Sequence, residues 1–306
     1  MLNLKELISN YLEYCHFQKK LNSKTLKAYK IDLRQFLDYI NNSNLGITRV
    51  DLSNFISHLH TVYKPKTVKR KVASLKALFS YLEYEEIILD NPFLKLKVKF
   101  QEPFLLPRTI SSENLEKFFN IIYNNTESNN ITIFKKKSII RDIAVLETLF
   151  GTGLRVSELC SIKKTDISLS QGTLLIYGKG SKERIIQITN SHILNALSNY
   201  QLYFKEELEN SIFFFINRLG HKLSEQSVRL MIKQYAEKAN IEEHITPHMF
   251  RHTFATMLLE EDVDIRYIQQ ILGHSSIVTT QIYTHVTSNK QREILTTKHP
   301  RNKITF

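Results

Sequence analysis

The sequence predicts a mainly α-helical protein with one small β-sheet, divided into two domains. Three features carry that expectation. Apolar residues recur every three to four positions in four successive segments before residue 85. From about Lys97 to Arg108 this periodicity stops, and Pro103 and Pro107 mark an extended linker. Beyond it the pattern is again helical, except for two short β-branched and apolar runs flanking Gly178-Lys179-Gly180. At 306 residues with 42% hydrophobic content, the chain has enough apolar side chains for a core in each domain. The expected boundaries are 1–98 for a four-helix bundle, 99–108 for the linker and 109–306 for a mixed domain with a carboxy-terminal tail.

Leu4, Leu7, Ile8, Tyr11, Leu12 and Cys15 form the first amphipathic stripe, and Leu26, Tyr29, Leu33, Phe36, Leu37 and Ile40 the second. A third helix starts at Thr48-x-x-Asp51, a capping box in which Asp replaces the usual Glu, and turns Leu52, Phe55, Ile56 and Leu59 inward. The fourth follows Pro65 and buries Val68, Val72, Leu75, Leu78, Phe79 and Leu82. Its start, Lys64 to Lys71, holds five basic residues in eight and is expected to face phosphates. Asn124 to Asn130 reads as a polar surface loop, and Lys135-Lys136-Lys137 as an exposed loop. Thr173 to Tyr177 and Arg184 to Ile188 form a hairpin with Lys179 at its tip, and Lys182 and Arg184 as solvated charges. Thr246 caps a later helix that begins at Pro247. Ile265, Ile268, Ile271 and Leu272 then give a stripe that Gly273 ends as a C-cap, exposing His274. No internal repeat or low-complexity tract interrupts this order.

The net charge is +12 and unevenly placed. Residues 1–108 carry 18 Lys plus Arg against 10 Asp plus Glu, and the remainder 24 against 20, so the amino-terminal third is the stronger clamp for a polyanion. Lysine richness alone can also reflect the coding bias of an AT-rich genome. Cys15 and Cys160 make no disulfide framework, which fits a reducing cytoplasm. There is no signal peptide and no apolar run long enough to span a bilayer, so no membrane role is expected.

The chemistry concentrates in a few residues. His248-Met249-Phe250-Arg251, Leu272-Gly273-His274 and Tyr283 bring two imidazoles, a guanidinium and a phenol into 36 positions. Arg155, in Gly151-Thr152-Gly153-Leu154-Arg155, adds a second guanidinium, and Lys179 an ammonium; five of the chain's eight glycines flank these residues, where backbone must bend. This set suits the breaking of a phosphodiester. Negative charge spreads over the phosphate oxygens as the nucleophile attacks, and one fixed donor aimed at such charge is worth about 2.7 to 4 kcal/mol. Arginine meets two oxygens at once and stays charged. Tyr283 is the expected nucleophile, because an aryl phosphate ester can be reversed by an incoming 5′-hydroxyl with the bond energy retained. Lys179 or a histidine must then protonate the departing oxygen. His248 and Arg251 share a helix face near free N–H groups that favour an anion. His244, His248 and His252 stand at i, i+4 and i+8, but Pro247 interrupts that face and no thiolate or carboxylate completes a ligand set, so no metal is expected.

The order Arg155, Lys179, His248-x-x-Arg251, Leu272-Gly273-His274 and Tyr283 resembles the tyrosine recombinase (phage integrase) family. Arg141-Asp142-Ile143-Ala144, Tyr283-Thr284-His285-Val286 and the closing His299-Pro300-Arg301 resemble its Xer-type members in particular. The likeness spans nearly the whole chain and is weaker before Arg108. It implies a two-domain, C-shaped clamp whose SAM-like core-binding bundle closes over DNA opposite the catalytic domain. It also implies an enzyme needing no cofactor, metal or ATP, which cuts and rejoins two duplexes through a 3′-phosphotyrosine. By the same resemblance Arg155, Arg251 and His274 hold the scissile phosphate, Lys179 is the general acid, His248 assists proton transfer and Tyr283 attacks, while Glu158 supports Arg155 or the local fold. The implied partners are double-stranded DNA bearing a short inverted repeat and a homo- or hetero-tetramer with a related recombinase, with a DNA translocase left open. The resemblance leaves two places for the last segment of the tail beyond Tyr283: its own domain, or a neighbouring subunit in a head-to-tail exchange. The role implied is Xer-type resolution of chromosome or plasmid dimers, hence chromosome partition; a mobile-element integrase or transposase and a type IB topoisomerase-like relaxase are the alternatives. A non-catalytic DNA-binding regulator would lack part of the six-residue set, and none is missing here.

Overall fold

The computed structural model describes residues 3–43, 48–94, 96, 98, 108–124, 132–178, 183–273 and 288–304. It divides into two compact units, Met1–Leu105 and Leu106–Phe306. The extended linker expected at 99–108 and the polar loop expected at 124–130 lie almost entirely outside the described residues.

The first unit is built from α1 (Leu4–Phe17), α2 (Ser23–Ser43), α3 (Arg49–Val62) and α4 (Pro65–Tyr84). The apolar stripes read from the sequence are the buried faces: Tyr11, Cys15, Leu33, Phe36, Leu52, Val68 and Leu78 are all inaccessible to solvent. Phe36 meets Phe55 and Phe79 edge to face, with ring centroids 5.1 and 6.2 Å apart. Each such side chain contributes about 1.5 to 3 kcal/mol on burial. At the start of α3, Thr48 accepts from the Asp51 N–H while the Asp51 carboxylate accepts from the Thr48 N–H, so the shorter acid completes the box.

In the basic run at the start of α4, Lys64, Lys66, Lys69 and Arg70 are exposed, and Lys71 alone departs from the expected phosphate-facing surface. Lys71 is buried, its ammonium 2.9 Å from the Asp32 carboxylate and also bonded to Gln35, and Arg70 pairs with the same carboxylate. Asp32 has no solvent exposure at its side chain, so its charge must be matched from within the bundle.

The second unit is organised around α6 (Ile133–Thr152), in which every residue from Ile143 to Thr152 is buried. It is preceded by α5 (Ser112–Asn124) and followed by the one-turn α7 (Val156–Leu159). Next come β1 (Ile167–Ser168), β2 (Thr173–Tyr177) and β3 (Glu183–Gln187), an antiparallel sheet in the order β1-β2-β3. Then follow α8 (Ser191–Tyr203), α9 (Lys205–Glu209), α10 (Glu225–Lys238), α11 (Pro247–Glu260) and α12 (Ile265–Leu272). The tail is α13 (Ser288–Thr297) and a single 3₁₀ turn, Pro300–Lys303. α8 and α11 pack along α6. Lys135 to Lys137 belong to the first turns of α6 rather than to a loop, and Lys137 is tied to Glu207 at 2.6 Å. Ile265 stays 54% exposed, while Ile268, Ile271 and Leu272 form the buried stripe of α12. Among the described residues, no helix is long and apolar enough to cross a membrane.

The described part of the tail, 288–304, packs on its own domain, where the sequence left docking on its own domain or on a neighbouring subunit open. Ile294 and Leu295 of α13 join a cluster with Phe254, Leu258, Ile268 and Leu272. Arg301 reaches Glu147 in the middle of α6, and Asn302 bonds Asn190, the cap of α8, at 2.7 Å. The His299 ring is buried. Its Nδ1 accepts from the Arg301 N–H at 3.0 Å, which leaves Nε2–H to donate to the Gly151 carbonyl at 2.5 Å, so the neutral ring fits the site. Burial, helped by the Arg301 charge and opposed by the Gly151 bond, lowers the His299 pKa from 6.5 to about 4. Between those values the unfolded chain binds a proton that the folded chain does not. Stability attributable to this residue is therefore complete above about pH 6.5 and is lost as pH falls toward 4, by on the order of 3 kcal/mol. Urea unfolding at pH 7.5 and pH 5 should show a larger acid loss in the parent than in His299→Asn. Equal losses would mean that other groups carry the acid sensitivity.

Candidate active site

Arg155 is placed by two consecutive backbone devices. Gly153 ends α6 in the left-handed region, φ 61° and ψ 24°, and a Cβ there would come within 2.6 Å of Phe254. Arg155 then serves as the N-cap of α7, where Glu158 takes the acidic position of a capping box. The Glu158 carboxylate accepts from the Arg155 N–H at 3.0 Å and from its Nη1 at 2.8 Å. The Arg155 side chain stays 34% exposed, so its remaining donors are accessible to a ligand. Burial opposes the charge on Glu158, but its hydrogen bonds and charge pairing with Arg184, together with the Arg155 contacts, hold its pKa below the ordinary value.

Arg251 comes from α11, whose start matches the sequence reading: Thr246 caps it by accepting from Met249 N, and Pro247 occupies the first turn. Its guanidinium is buried and donates to the Gly153 carbonyl at 2.8 Å and the Leu272 carbonyl at 2.7 Å. Two of five donors are thereby used, and the arginine braces the turn before Arg155 against the end of α12. Burial and the neighbouring Arg155 charge lower its pKa to about 10, with Glu158 opposing, so it stays a cation at neutral pH. Gly273 closes α12 at φ 66° and ψ 47°. His248 is exposed one turn before Arg251, its ring 6.5 Å from that of His252.

Of the six residues read from the sequence, the fold brings Arg155 and Arg251 together around Gly153, with His248 on the same helix as Arg251. Lys179, His274 and Tyr283 lie outside the described residues, as does Lys182. The described chain reaches the first through β2 and β3 and the second through Gly273. Among the described residues, no three His, Cys, Asp or Glu side chains gather as a metal site.

Arg184 is not the solvated hairpin charge expected. Its side chain is 13% exposed, and Nη2 donates to Glu158 at 2.8 Å. The signal was present in the strand alternation. Arg184 pairs with Ile176, 2% exposed, and stands two residues from Ile186, which is fully buried, whereas Ile185 between them is 54% exposed. Period two puts Arg184 on the inward face. Glu147 gave a comparable signal, a lone carboxylate within the apolar run from Ile143 to Phe150 that demands a buried partner.

Residues 110–290 match the phage integrase family, and residues 8–86 match the phage integrase N-terminal SAM-like domain. The chain is 54% identical to a tyrosine recombinase of Agathobacter rectalis, with 100% of both chains covered. It is 35% identical to the tyrosine recombinase XerC of Thermodesulfovibrio yellowstonii, with 99% of each covered. The fold is that of the XerH site-specific recombinase in its post-cleavage complex with palindromic difH substrate, at TM-score 0.72 and 24% identity over 96% of this chain and 84% of that one. The chain belongs to the phage integrase family and is a DNA strand-exchange enzyme. Its activity is Xer-type site-specific recombination.

Proposed function

We propose that Arg155, Arg251 and His274 bind the scissile phosphate of a short inverted-repeat DNA site while Tyr283 attacks it. The Tyr283 oxygen forms the new bond to phosphorus and the P–O5′ bond breaks. Lys179 supplies the proton to the departing 5′-oxygen, and His248 assists proton transfer from the phenol. Attack by the 5′-hydroxyl of the partner strand reverses these events and releases the tyrosine. The observation that carries the reading is that the buried Arg251 braces the Gly153 turn two residues before the accessible Arg155, with Glu158 as the adjoining carboxylate. Fixed cationic donors beside an anion site are what phosphoryl transfer requires.

The unit 1–98 is the core-binding domain in this proposal and 109–306 the catalytic domain. Exposed Lys64, Lys66 and Lys69 contribute phosphate contacts. Two DNA sites are held by four subunits, either this chain alone or this chain with a related recombinase. The work is the resolution of chromosome or plasmid dimers in the cytoplasm, where the buried, unpaired Cys15 and Cys160 stay reduced.

Covalent trapping tests the proposal. The protein is incubated with nicked genomic duplex fragments in the presence of a chelator and without nucleotide, then denatured, and the attached DNA is sequenced. A single inverted-repeat site supports site-specific resolution, whereas adducts scattered without a site indicate a relaxase. Repeating the trap in cell extract reveals a required second recombinase or translocase. On trapped sites, Lys179→Ala should slow cleavage far less when the leaving 5′-oxygen is replaced by sulfur, because a thiolate departs without protonation. Equal loss on both substrates would remove Lys179 from the acid role.

A further inference from the structure

Arg184 turns all three arms of its guanidinium inward. Nε donates to the Ile271 carbonyl at 2.9 Å, while Nη1 and Nη2 donate to the two Glu158 oxygens at 3.2 and 2.8 Å. The same guanidinium packs against Gly273, where an added Cβ would come within 2.8 Å of Nη1. One side chain of β3 therefore fixes both the carboxylate that holds Arg155 and the last turn of α12. Arg251 braces the neighbouring Gly153 turn against Leu272, with its hydrogen bonds going to those two backbone carbonyls rather than to Glu158 or the sheet.

The consequence for Arg155 is electrostatic. Glu158 and a bound phosphate compete for the same guanidinium. A carboxylate left with unsatisfied oxygens in a largely buried place would draw the Arg155 fork toward itself, because a charge-assisted bond strengthens where water is excluded. Arg184 meets both oxygens of that carboxylate and neutralises its charge, so that one Arg155 donor anchors the residue and the others remain for a ligand.

We infer that Arg184 is a positioning residue of the strand-exchange reaction, which saturates Glu158 so that Arg155 faces the scissile phosphate and which locks β3 to the end of α12. The inference rests on the reading of Arg155 as a phosphate ligand. Its test uses single-turnover cleavage of a nicked site by Arg184→Gln, Arg184→Lys and Arg155→Ala. Each is assayed on the normal phosphodiester and on a methylphosphonate at the scissile position, which lacks the negative charge that arginine neutralises. Arg184→Gln should slow phosphodiester cleavage about 10- to 100-fold, taking as a guide the cost of losing the partner that orients a metal-ligating side chain. Site binding should stay within a few-fold, and the loss should largely vanish on the methylphosphonate. Arg184→Lys, which keeps the charge but cannot reach three acceptors, should fall between. Equal losses of the Arg184 variants on both substrates, or none on either, would overturn the inference while Arg155→Ala still shows the charge-dependent pattern. If Arg155→Ala lacks that pattern, the reading of Arg155 fails instead. Should Arg184→Gln melt below the assay temperature, the ratio of the two substrates for Arg184→Lys decides the matter.

Discussion

Tyr283→Phe should abolish covalent capture of DNA while leaving affinity for the site within a few-fold. The two effects separate because, in the proposed reaction, the hydroxyl oxygen is the only atom of that side chain that bonds to phosphorus, whereas affinity would come mostly from many phosphate contacts elsewhere. Loss of a covalent nucleophile costs roughly a millionfold in a well-studied protease, so no adduct should be detectable on any practical timescale. The measurement is denaturing electrophoresis of labelled nicked duplex after incubation with the parent and the variant at equal occupancy. A variant that still yields the adduct would show that another side chain attacks. A variant that no longer binds the site would show that the phenol acts in recognition.

Arg301→Ala should have the largest effect on stability. The Arg301 side chain is 2% exposed and its partner Glu147 is fully buried. Nε donates to both Glu147 oxygens, at 3.2 and 3.0 Å, Nη2 to one of them at 3.1 Å, and Nη1 to the Ile304 carbonyl at 2.8 Å. Tyr123 donates to the same carboxylate at 2.8 Å. Truncating the arginine strands a buried carboxylate with one remaining neutral donor, a change that typically costs about 3 to 5 kcal/mol. That is a large share of the roughly 5 to 15 kcal/mol that holds a domain folded. The double variant Glu147→Leu with Arg301→Met should recover most of the loss, because two apolar groups of similar size need no counter-charge. Urea unfolding of the three chains measures both effects. A loss below about 1 kcal/mol for Arg301→Ala, the size of an exposed pair, would mean that the tail leaves its own domain in solution.

Local chemistry was legible wherever neighbouring residues decide the conformation. The Thr48 and Asp51 box, the Thr246 cap with Pro247 behind it and the Gly273 C-cap all appear as read, because each closes hydrogen bonds within four residues. The four stripes of the first unit were legible for the same reason, since a 3.6-residue period on one helix fixes which face is buried. Arg155 and Arg251 were read as members of one set, but how the fold joins them was not legible: the Arg251 guanidinium reaches the Gly153 carbonyl 98 positions away.

The two misread cations, Lys71 and Arg184, share one property with Arg301, whose place the sequence left open. Lys71, Arg184 and Arg301 are cations that lie inside the protein beside the carboxylates of Asp32, Glu158 and Glu147, from 26 to 154 positions distant. A charge in a sequence is read as exposed by default, because burying it alone costs several kcal/mol, and that cost is offset only by a partner that the fold supplies. The sequence by itself determined the helices, their caps and the chemical class of the reaction, since these depend on periodicity, backbone geometry and residue type. The tertiary structure alone decided which cations pair with buried carboxylates and which stay exposed, and where the described tail packs, because those outcomes depend on distances between segments that no local pattern encodes.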